Sequence, residues 1–362
     1  MNILHTESSL NWGGQEYRTI LEHNYLNNIT HNSWLLCDKK SKTLKKSQEL
    51  NCKNVLTADL SKSINIIEST RILWLCKKHK IDIINSHSPK DSMLCILAFL
   101  AGIPLVRSRQ ITSPIKKRFS YEYLCSHIIA TADAIKNSLI SIGVTKDKIT
   151  VIGEGVDLSE YTPDNNSDYL KEEFNIQNND LIVVNIGMIR EDKGQEFYLE
   201  SAKKMLDKNK NVKFFLIGES TSNTLLEDKL KKQIVDYDLS DNFFMPGYRN
   251  DVAAFIHLSD LIVIASIAVE AQSRIVPQAF ATRRTVVSTN TGGLTELVED
   301  GITGLVVPPK DSLHMSESIL SILNNIELRN QLADNAYQKA MTDLSFNKMM
   351  ENTISLYNKL IK

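Results

Sequence analysis

Short apolar runs alternate with stretches of helical periodicity along most of the chain. In the first half the runs are NILH (2–5), SWLLC (33–37), NVLTA (54–58), DIINS (82–86), PLVRS (104–108), HIIAT (127–131) and KITVIG (148–153). Amphipathic stretches at 15–28, 64–79, 90–101 and 132–142 separate them. The second half repeats the rhythm with LIVVNIG (181–187), VKFFLIG (212–218), NFFMPG (242–247), LIVIAS (261–266), TVVST (285–289) and GLVVP (304–308). Near-continuous Val, Ile and Leu runs belong to strands buried on both faces, as in a parallel sheet covered by helical crossovers. Two such blocks predict an α/β protein of two Rossmann-like domains. The segment EGVDLSEYTPDNNSD (154–168) has no apolar period and is rich in Asn, Asp and Ser, so it is the expected linker. The expected domains are 1–163 and 164–345. Beyond Pro309 the pattern is helical alone, at 311–323, 326–342 and 346–360.

At 362 residues the chain is long enough for two separate cores. Its 42 basic and 43 acidic side chains leave a net charge of -1, which speaks against a nucleic-acid partner. The balance is uneven, because residues 1–163 hold 21 of the basic and 15 of the acidic groups, a net of +6. The longest apolar run, Met93 to Val106, has 14 residues and is broken by Gly102 and Pro104, too short to cross a bilayer. The opening MNILHTESS lacks the basic and apolar regions of a secretory signal. Cys37, Cys52, Cys76, Cys95 and Cys125 form no CxxC pairing. Both features lead us to expect a cytoplasmic protein with reduced, buried thiols. The Lys-rich stretch at 39–46 reads as solvated surface.

Candidate chemistry gathers where strands end, because ligands of open parallel sheets bind beyond the carboxyl ends of the strands. In GMIREDKGQEF (187–197), Gly187 closes a strand, Arg190 and Lys193 follow, and Gly194 opens a helix. Two cations beside a helix start suit a diphosphate, although two surface charges give the same pattern. In SIAVEAQSRIVPQAF (266–280), Glu270 lies just past a strand, placed to grip sugar hydroxyls or merely to cap a helix, and Gln278 falls in the next helix. In TNTGGLTELVEDGITGLVVPPKD (289–311), Gly292 and Gly293 precede a short helix carrying Glu296. Such a pair presents backbone N–H groups to phosphate or forms a bare turn. At the N-terminus Gly13 and Gly14 open the first helix, Glu16 follows, and no GxGxxG fingerprint is present. Arg107, Arg109, Lys116, Lys117 and Arg118, with Phe119, Tyr121 and Tyr123 beside them, fit either a solvated loop or docking to an anionic membrane surface or a phosphorylated lipid-linked acceptor. The DYD at 236–238 follows a Lys-rich helix, not a strand, and reads as a helix end and not as a metal site.

Taken in order, these segments resemble glycosyltransferase family 4, the "glycosyl transferases group 1", over nearly the whole chain. WGGQE (12–16) resembles the family's GGxE loop, VIGEGVDLSEYTP (151–163) its interdomain segment, and GMIREDKG (187–194) its phosphate-binding loop. PGYRNDVAAFIHLSDLIVIAS (246–266) resembles its GY..DV stretch, and TGGLTELVEDGITGLVVPPKD (291–311) its glycine-rich tail. An E-x7-Q pair stands where the family has E-x7-E. WGGQE–YR, RSRQ (107–110) and EAQSRIVPQA (270–279) most resemble members that build bacterial lipopolysaccharide or related surface glycans.

The resemblance implies a GT-B fold, two Rossmann-like domains facing across a cleft, with the C-terminal helix, 346–362, returning to the first. It implies transfer of a sugar from a nucleotide-diphosphate sugar, held by the C-terminal domain, to a glycan or lipid-linked acceptor held by the N-terminal one. Retention of configuration, a site without metal, no cofactor besides the donor, and work on the inner face of the cytoplasmic membrane are further implications. By position, Arg190 and Lys193 would hold the diphosphate and Glu270 the sugar, and these are the expected catalytic residues. Gly14, Gly187, Gly292, Gly293 and Glu296 would lie along the donor, Tyr248 and Arg249 near its base, and Gln278 at the ribose. Gly13, Glu16, His87, Arg109 and Gln110 would face the acceptor or the cleft. Two departures stand out. Gln278 replaces the family's second glutamate, and Gln110 replaces a histidine that is common there and could take a proton, which an amide cannot. They leave two other readings open, a nucleotide-sugar-binding scaffold without turnover and an NDP-sugar epimerase of the same shape.

Overall fold

The computed structural model describes every residue except Thr112, Pro114, Lys116, Lys117, 207–210, 221–223 and Lys362. The chain divides into two compact units, Met1–Glu154 with Met349–Lys362, and Gly155–Lys348. The division therefore falls ahead of residue 163. The expected linker belongs mostly to the second unit, where Val156 forms a bridge with Ser345 and both Val156 and Tyr161 are buried.

The first unit is built on seven strands: β1 (Asn2–Glu7), β2 (Asn32–Asp38), β3 (Val55–Ala58), β4 (Ile83–Ser86), β5 (Leu105–Arg109), β6 (His127–Ala130) and β7 (Ile149–Val151). They are all parallel, in the order β3-β2-β1-β4-β5-β6-β7. The second unit has β8 (Leu181–Ile186), β9 (Val212–Ile217), β10 (Phe243–Gly247), β11 (Leu261–Ile264), β12 (Thr285–Thr289) and β13 (Gly304–Val307). These too are parallel, in the order β10-β9-β8-β11-β12-β13. Each apolar run in the sequence corresponds to one of these strands. In both sheets the order reverses beside the first strand, giving switch points between β1 and β4 and between β8 and β11. There the loops leaving neighbouring strands diverge to opposite faces and open a crevice.

Alternation along the strands fills both faces of the second sheet. Val183, Phe214, Leu216 and Val263 join one apolar cluster, while Ile182, Val184, Phe215 and Ile262 join another. Successive side chains of a strand point to opposite faces, so a continuous apolar run is what two covered faces require. The Lys-rich stretch at 39–46 is more than bare surface. Lys42–Glu49 forms a helix whose N-cap, Ser41, accepts a bond from Leu44 N, and Thr43 and Ser47 are buried.

The last helix, Phe346–Leu360, belongs to the first unit from Met349 onward. Its Tyr357 is fully buried, and Asn85 Nδ2 at the end of β4 donates to the phenol oxygen at 2.7 Å. Ser108 Oγ on β5 donates to Asn85 Oδ1 at 2.9 Å, so the amide is satisfied on both sides. Tyr357→Phe leaves the Asn85 N–H without a partner in the core. We expect this to cost about 1–3 kcal/mol, read as a lower thermal midpoint with an unchanged far-UV circular dichroism spectrum.

Candidate functional site

At the switch point of the second unit, the loops after β8 and β11 bring together two side chains far apart in sequence. Lys193 Nζ lies 2.5 Å from Glu270 Oε1. Ser266 Oγ, two residues beyond β11, donates to the same carboxylate oxygen. Two glycines allow this approach. Gly194 has φ +65°, and a Cβ there would collide with the Ala265 carbonyl oxygen, so only glycine lets the turn Glu191–Lys193 press on the end of β11. Ile267 N donates to Asp192 O at 2.9 Å and closes the contact. Gly292 has φ +56°, and a Cβ there would strike the Glu270 carbonyl oxygen, while Gly293 N donates to that oxygen at 2.9 Å. Glu270 is thus held at its backbone by the glycine pair and at its carboxylate by Lys193 and Ser266.

The other expected donor residues divide into those near this centre and those committed elsewhere. Arg190 is about half exposed and its Nη2 lies 2.6 Å from Asp192 Oδ2. Gly187 follows β8 directly, and Glu296 sits half-buried on the short helix Leu294–Leu297. Gln278 lies in the helix Ile275–Ala281, buried, with its Oε1 lacking any hydrogen-bond partner. Tyr248 is exposed. Arg249, expected near the base, has its guanidinium bonded to two carboxylates of its own unit. It takes Glu173 through two bonds of 2.7 and 3.0 Å and Asp251 through two of 2.9 and 2.8 Å. The Arg249 bonds also hold the Asp251 carboxyl down at about 2. This clamp satisfies the arginine within the fold.

In the first unit Gly13 caps and Gly14 opens the helix Gly14–Asn28. The polar group tying this loop to the sheet is Gln15, which the sequence reading passed over in favour of the buried Glu16. Gln15 Nε2 donates to Glu7 Oε2 at 2.7 Å and to Ser88 Oγ at 2.9 Å, and Ser88 Oγ donates to Glu7 Oε1 at 2.7 Å. Glu7 ends β1 and Ser88 follows β4, so their place at strand ends was the available signal, as it was for Ser266 after β11. Burial raises the Glu7 carboxyl above its usual range.

His87 does not present its ring to an open site. The ring is buried, with Nε2 3.0 Å from His5 Nδ1, and the two rings stack. Burial pushes His87 well below the ordinary imidazole range and His5 to about 3. Both are core histidines kept neutral by loss of water. Gln110 follows β5, with its Nε2 buried and unpartnered. Arg107 and Arg109 are only 4% and 7% exposed, so they cannot form part of a flat basic surface patch. Lys116 and Lys117 lie outside the described residues, and Arg118 is exposed at the start of the helix Arg118–Glu122.

Two outcomes follow from this geometry. Gly292→Ala should displace the Glu270 backbone and lower the thermal midpoint, measurable by scanning calorimetry. The histidine environment predicts that the ring signals of His5 and His87 stay at neutral-imidazole shifts from pH 5.5 to pH 8 in nuclear magnetic resonance titration. A proton bound by either in that range would contradict the burial argument, since a base with a folded pKa below its unfolded value binds its proton only at lower pH.

Comparison with known proteins places this geometry. The family described as "Glycosyltransferase Family 4" matches residues 12–160, and "Glycosyl transferases group 1" matches residues 166–339. A capsular polysaccharide biosynthesis glycosyltransferase, CapM of Staphylococcus aureus, is 26% identical over 318 residues, 81% of this chain and 80% of its own length. The UDP-Gal:α-D-GlcNAc-diphosphoundecaprenol α-1,3-galactosyltransferase of Escherichia coli is 24% identical over 329 residues, 86% of this chain and 82% of its own. Among solved structures, a glycosyltransferase from Rickettsia africae superposes with a TM-score of 0.90 at 21% identity, covering 100% of this chain and 98% of its own. HepE of Anabaena in complex with UDP superposes with a TM-score of 0.89 at 20% identity, covering 99% of this chain and 100% of its own. With both halves of the chain matched in order, the protein belongs to the group 1, family 4 glycosyltransferases, with two parallel-sheet domains of the GT-B kind.

Proposed function

We propose that the chain transfers a sugar from a uridine-diphosphate sugar to a glycan or lipid-linked acceptor in the synthesis of a bacterial surface polysaccharide, with retention of configuration and without a metal. The observation that carries the reading is the Lys193–Glu270 pair at the β8/β11 switch point. In the absence of donor the ammonium and the carboxylate satisfy each other. A diphosphate competes for Lys193 and frees Glu270 to accept bonds from sugar hydroxyls. Arg190, three residues before Lys193 and about half exposed, supplies a second cation. The buried, unpartnered Oε1 of Gln278 is an acceptor suited to a ribose hydroxyl. The identity of the nucleotide draws on HepE, which binds UDP, and the acceptor class on the relatives that build capsular and lipid-linked glycans.

In this reading the bond between the anomeric carbon and the diphosphate oxygen breaks with its electron pair going to oxygen. Lys193 and Arg190 stabilise the growing charge, and this is the step where fixed cations act most strongly. His87 is buried and Gln110 is an amide, so neither serves as the acceptor's base. The acceptor hydroxyl gives its proton to the departing diphosphate oxygen as the new bond forms on the same face. Two cationic side chains stand in this scheme where other transferases use a metal.

Lys193→Ala should lower turnover by about 10²–10³-fold, with Arg190→Ala falling less because its guanidinium already shares Asp192. The assay is nucleotide release from UDP-sugars with and without acceptor. A loss under about fivefold in Lys193→Ala would remove the residue from the reaction. Donor binding with no release under any acceptor would replace the transferase by a scaffold, and conversion of the donor sugar without acceptor would replace it by an epimerase.

A further inference from the structure

Arg107 and Arg109 stand apart from the other buried arginine of the first unit. Arg18, fully buried, faces Glu22 at 2.6 Å and Glu154 at 3.4 Å. Arg107 and Arg109 are as deeply placed, on β5, yet among the described residues no Asp or Glu oxygen comes within ion-pair distance of either. Their partners are neutral. Arg107 Nη1 donates to Ser120 O at 3.0 Å, and its guanidinium lies 3.8 Å over the Tyr121 ring. Arg109 Nη1 donates to the Tyr121 hydroxyl at 2.9 Å, and its Nη2 to Ser113 O. Carbonyls and an aromatic face soften the burial of a cation but do not neutralise it. Two uncompensated positive charges side by side favour an anion between or above them.

Both arginines line a pocket of about 750 Å³, far larger than a phosphate ion. Arg118 is a third cation on its wall, and among the described residues no acid lines it. The remaining wall is largely apolar, with Ile64, Met93, Phe119 and Leu124, and of these Ile64 and Phe119 are 79% and 63% exposed. A second, water-sized pocket shares Arg107, Arg109 and Tyr121 with the first and includes Gln110, whose amide nitrogen is buried and without a partner. The site therefore offers cationic and amide donors at one end and uncovered hydrocarbon at the other.

We propose that this pocket seats the diphosphate and first isoprenoid units of a lipid-linked acceptor, the head on Arg107 and Arg109 and the chain over Ile64 and Phe119. The assignment rests on the transferase reading above and names the acceptor class that reading leaves open. It also changes the meaning of the basic cluster. The two β5 arginines form a pocket for one anionic head group, where a general attraction to anionic membrane would need exposed charges. A ligand of this kind matches each wall of the pocket with its own chemistry, and neither a free phosphate nor a neutral lipid matches both.

The test uses the full chain and farnesyl diphosphate as a soluble probe, measured by calorimetry beside inorganic pyrophosphate, farnesol and vesicles containing phosphatidylglycerol. Farnesyl diphosphate should bind at least about tenfold more tightly than pyrophosphate or farnesol. Arg107→Met and Arg109→Met should each abolish that preference while leaving the thermal shift given by UDP intact. Because a buried arginine can matter for folding, Ile64→Asn and Phe119→Asn, uncharged changes at exposed side chains, provide an independent arm. They should weaken farnesyl diphosphate and leave pyrophosphate unchanged. Equal binding of pyrophosphate and farnesyl diphosphate would reduce the site to a free-anion site and overturn the proposal. Vesicle binding that survives both arginine substitutions, with no affinity for farnesyl diphosphate, would overturn it in favour of a membrane surface. The pocket shares no residue with the Lys193–Glu270 centre, so absence of UDP binding in the unaltered protein would count against the transferase reading and not against the pocket.

Discussion

The reversal of strand order beside β8 is the constraint on which the site depends. A single hydrogen-bonded sheet places β8 and β11 next to each other although Lys193 and Glu270 are 77 residues apart. The crossovers on either side leave to opposite faces, so no helix fills the crevice beyond those two strand ends. The two loops must then turn sharply without side chains at Gly194 and Gly292, where any Cβ would meet backbone. Topology brings the charges to one place, and two glycines allow them to come within bonding distance. The apolar alternation that covers both faces of the sheet is what holds the strand ends steady enough for a 2.5 Å contact to persist.

How each cation is compensated separates structure from function across the molecule. Arg18 and Arg249 are surrounded by carboxylates and act as clamps, the first holding the end of the first unit's chain segment at Ile152 and Glu154, the second joining Glu173 to Asp251. Lys193 has one carboxylate partner among the described residues and is partly exposed, and in the proposed reading a diphosphate exchanges for that partner. Among the described residues Arg107 and Arg109 have none. A buried ion pair adds little net stability once desolvation is counted, and an unpaired buried ion costs stability outright. The gradation from fully paired to exchangeable to unpaired therefore orders these residues by their readiness to meet a ligand.

Much of this was legible in the sequence. Every strand was visible as an apolar run because both faces of each sheet are covered, which removes the polar alternation that makes half-exposed strands ambiguous. The gathering of Lys193, Glu270 and the Gly292–Gly293 pair at strand ends was legible because strand ends are marked by glycine and because the resemblance implies roles for them there. Pairing was not legible. Nothing in the spacing of Arg249 revealed that Glu173 and Asp251 would take four of its five donors, and nothing in SHSPK (86–90) revealed that His87 would stack on His5. Side-chain partners far apart in sequence follow from register, which periodicity does not carry. The same gap explains why Gln15 was passed over for Glu16. One position of helical phase decides which of two neighbouring polar residues turns toward Glu7 and Ser88.

The two glutamines that depart from the family's pattern carry opposite vacancies, an acceptor at Gln278 and a donor at Gln110. A buried amide atom without a partner costs about 1–3 kcal/mol, and a fold that needed only packing at these places would hold an apolar side chain at lower cost. In the proposed reading, loss of charge at Gln278 gives up the stronger bond a carboxylate would make to a ribose diol, and with it the repulsion a carboxylate would exert on a donor diphosphate. At Gln110 the amide keeps a donor and gives up a titratable proton site. Chemistry at that position then depends on hydrogen bonding alone, which is consistent with a reaction whose proton leaves on the substrate's own phosphate.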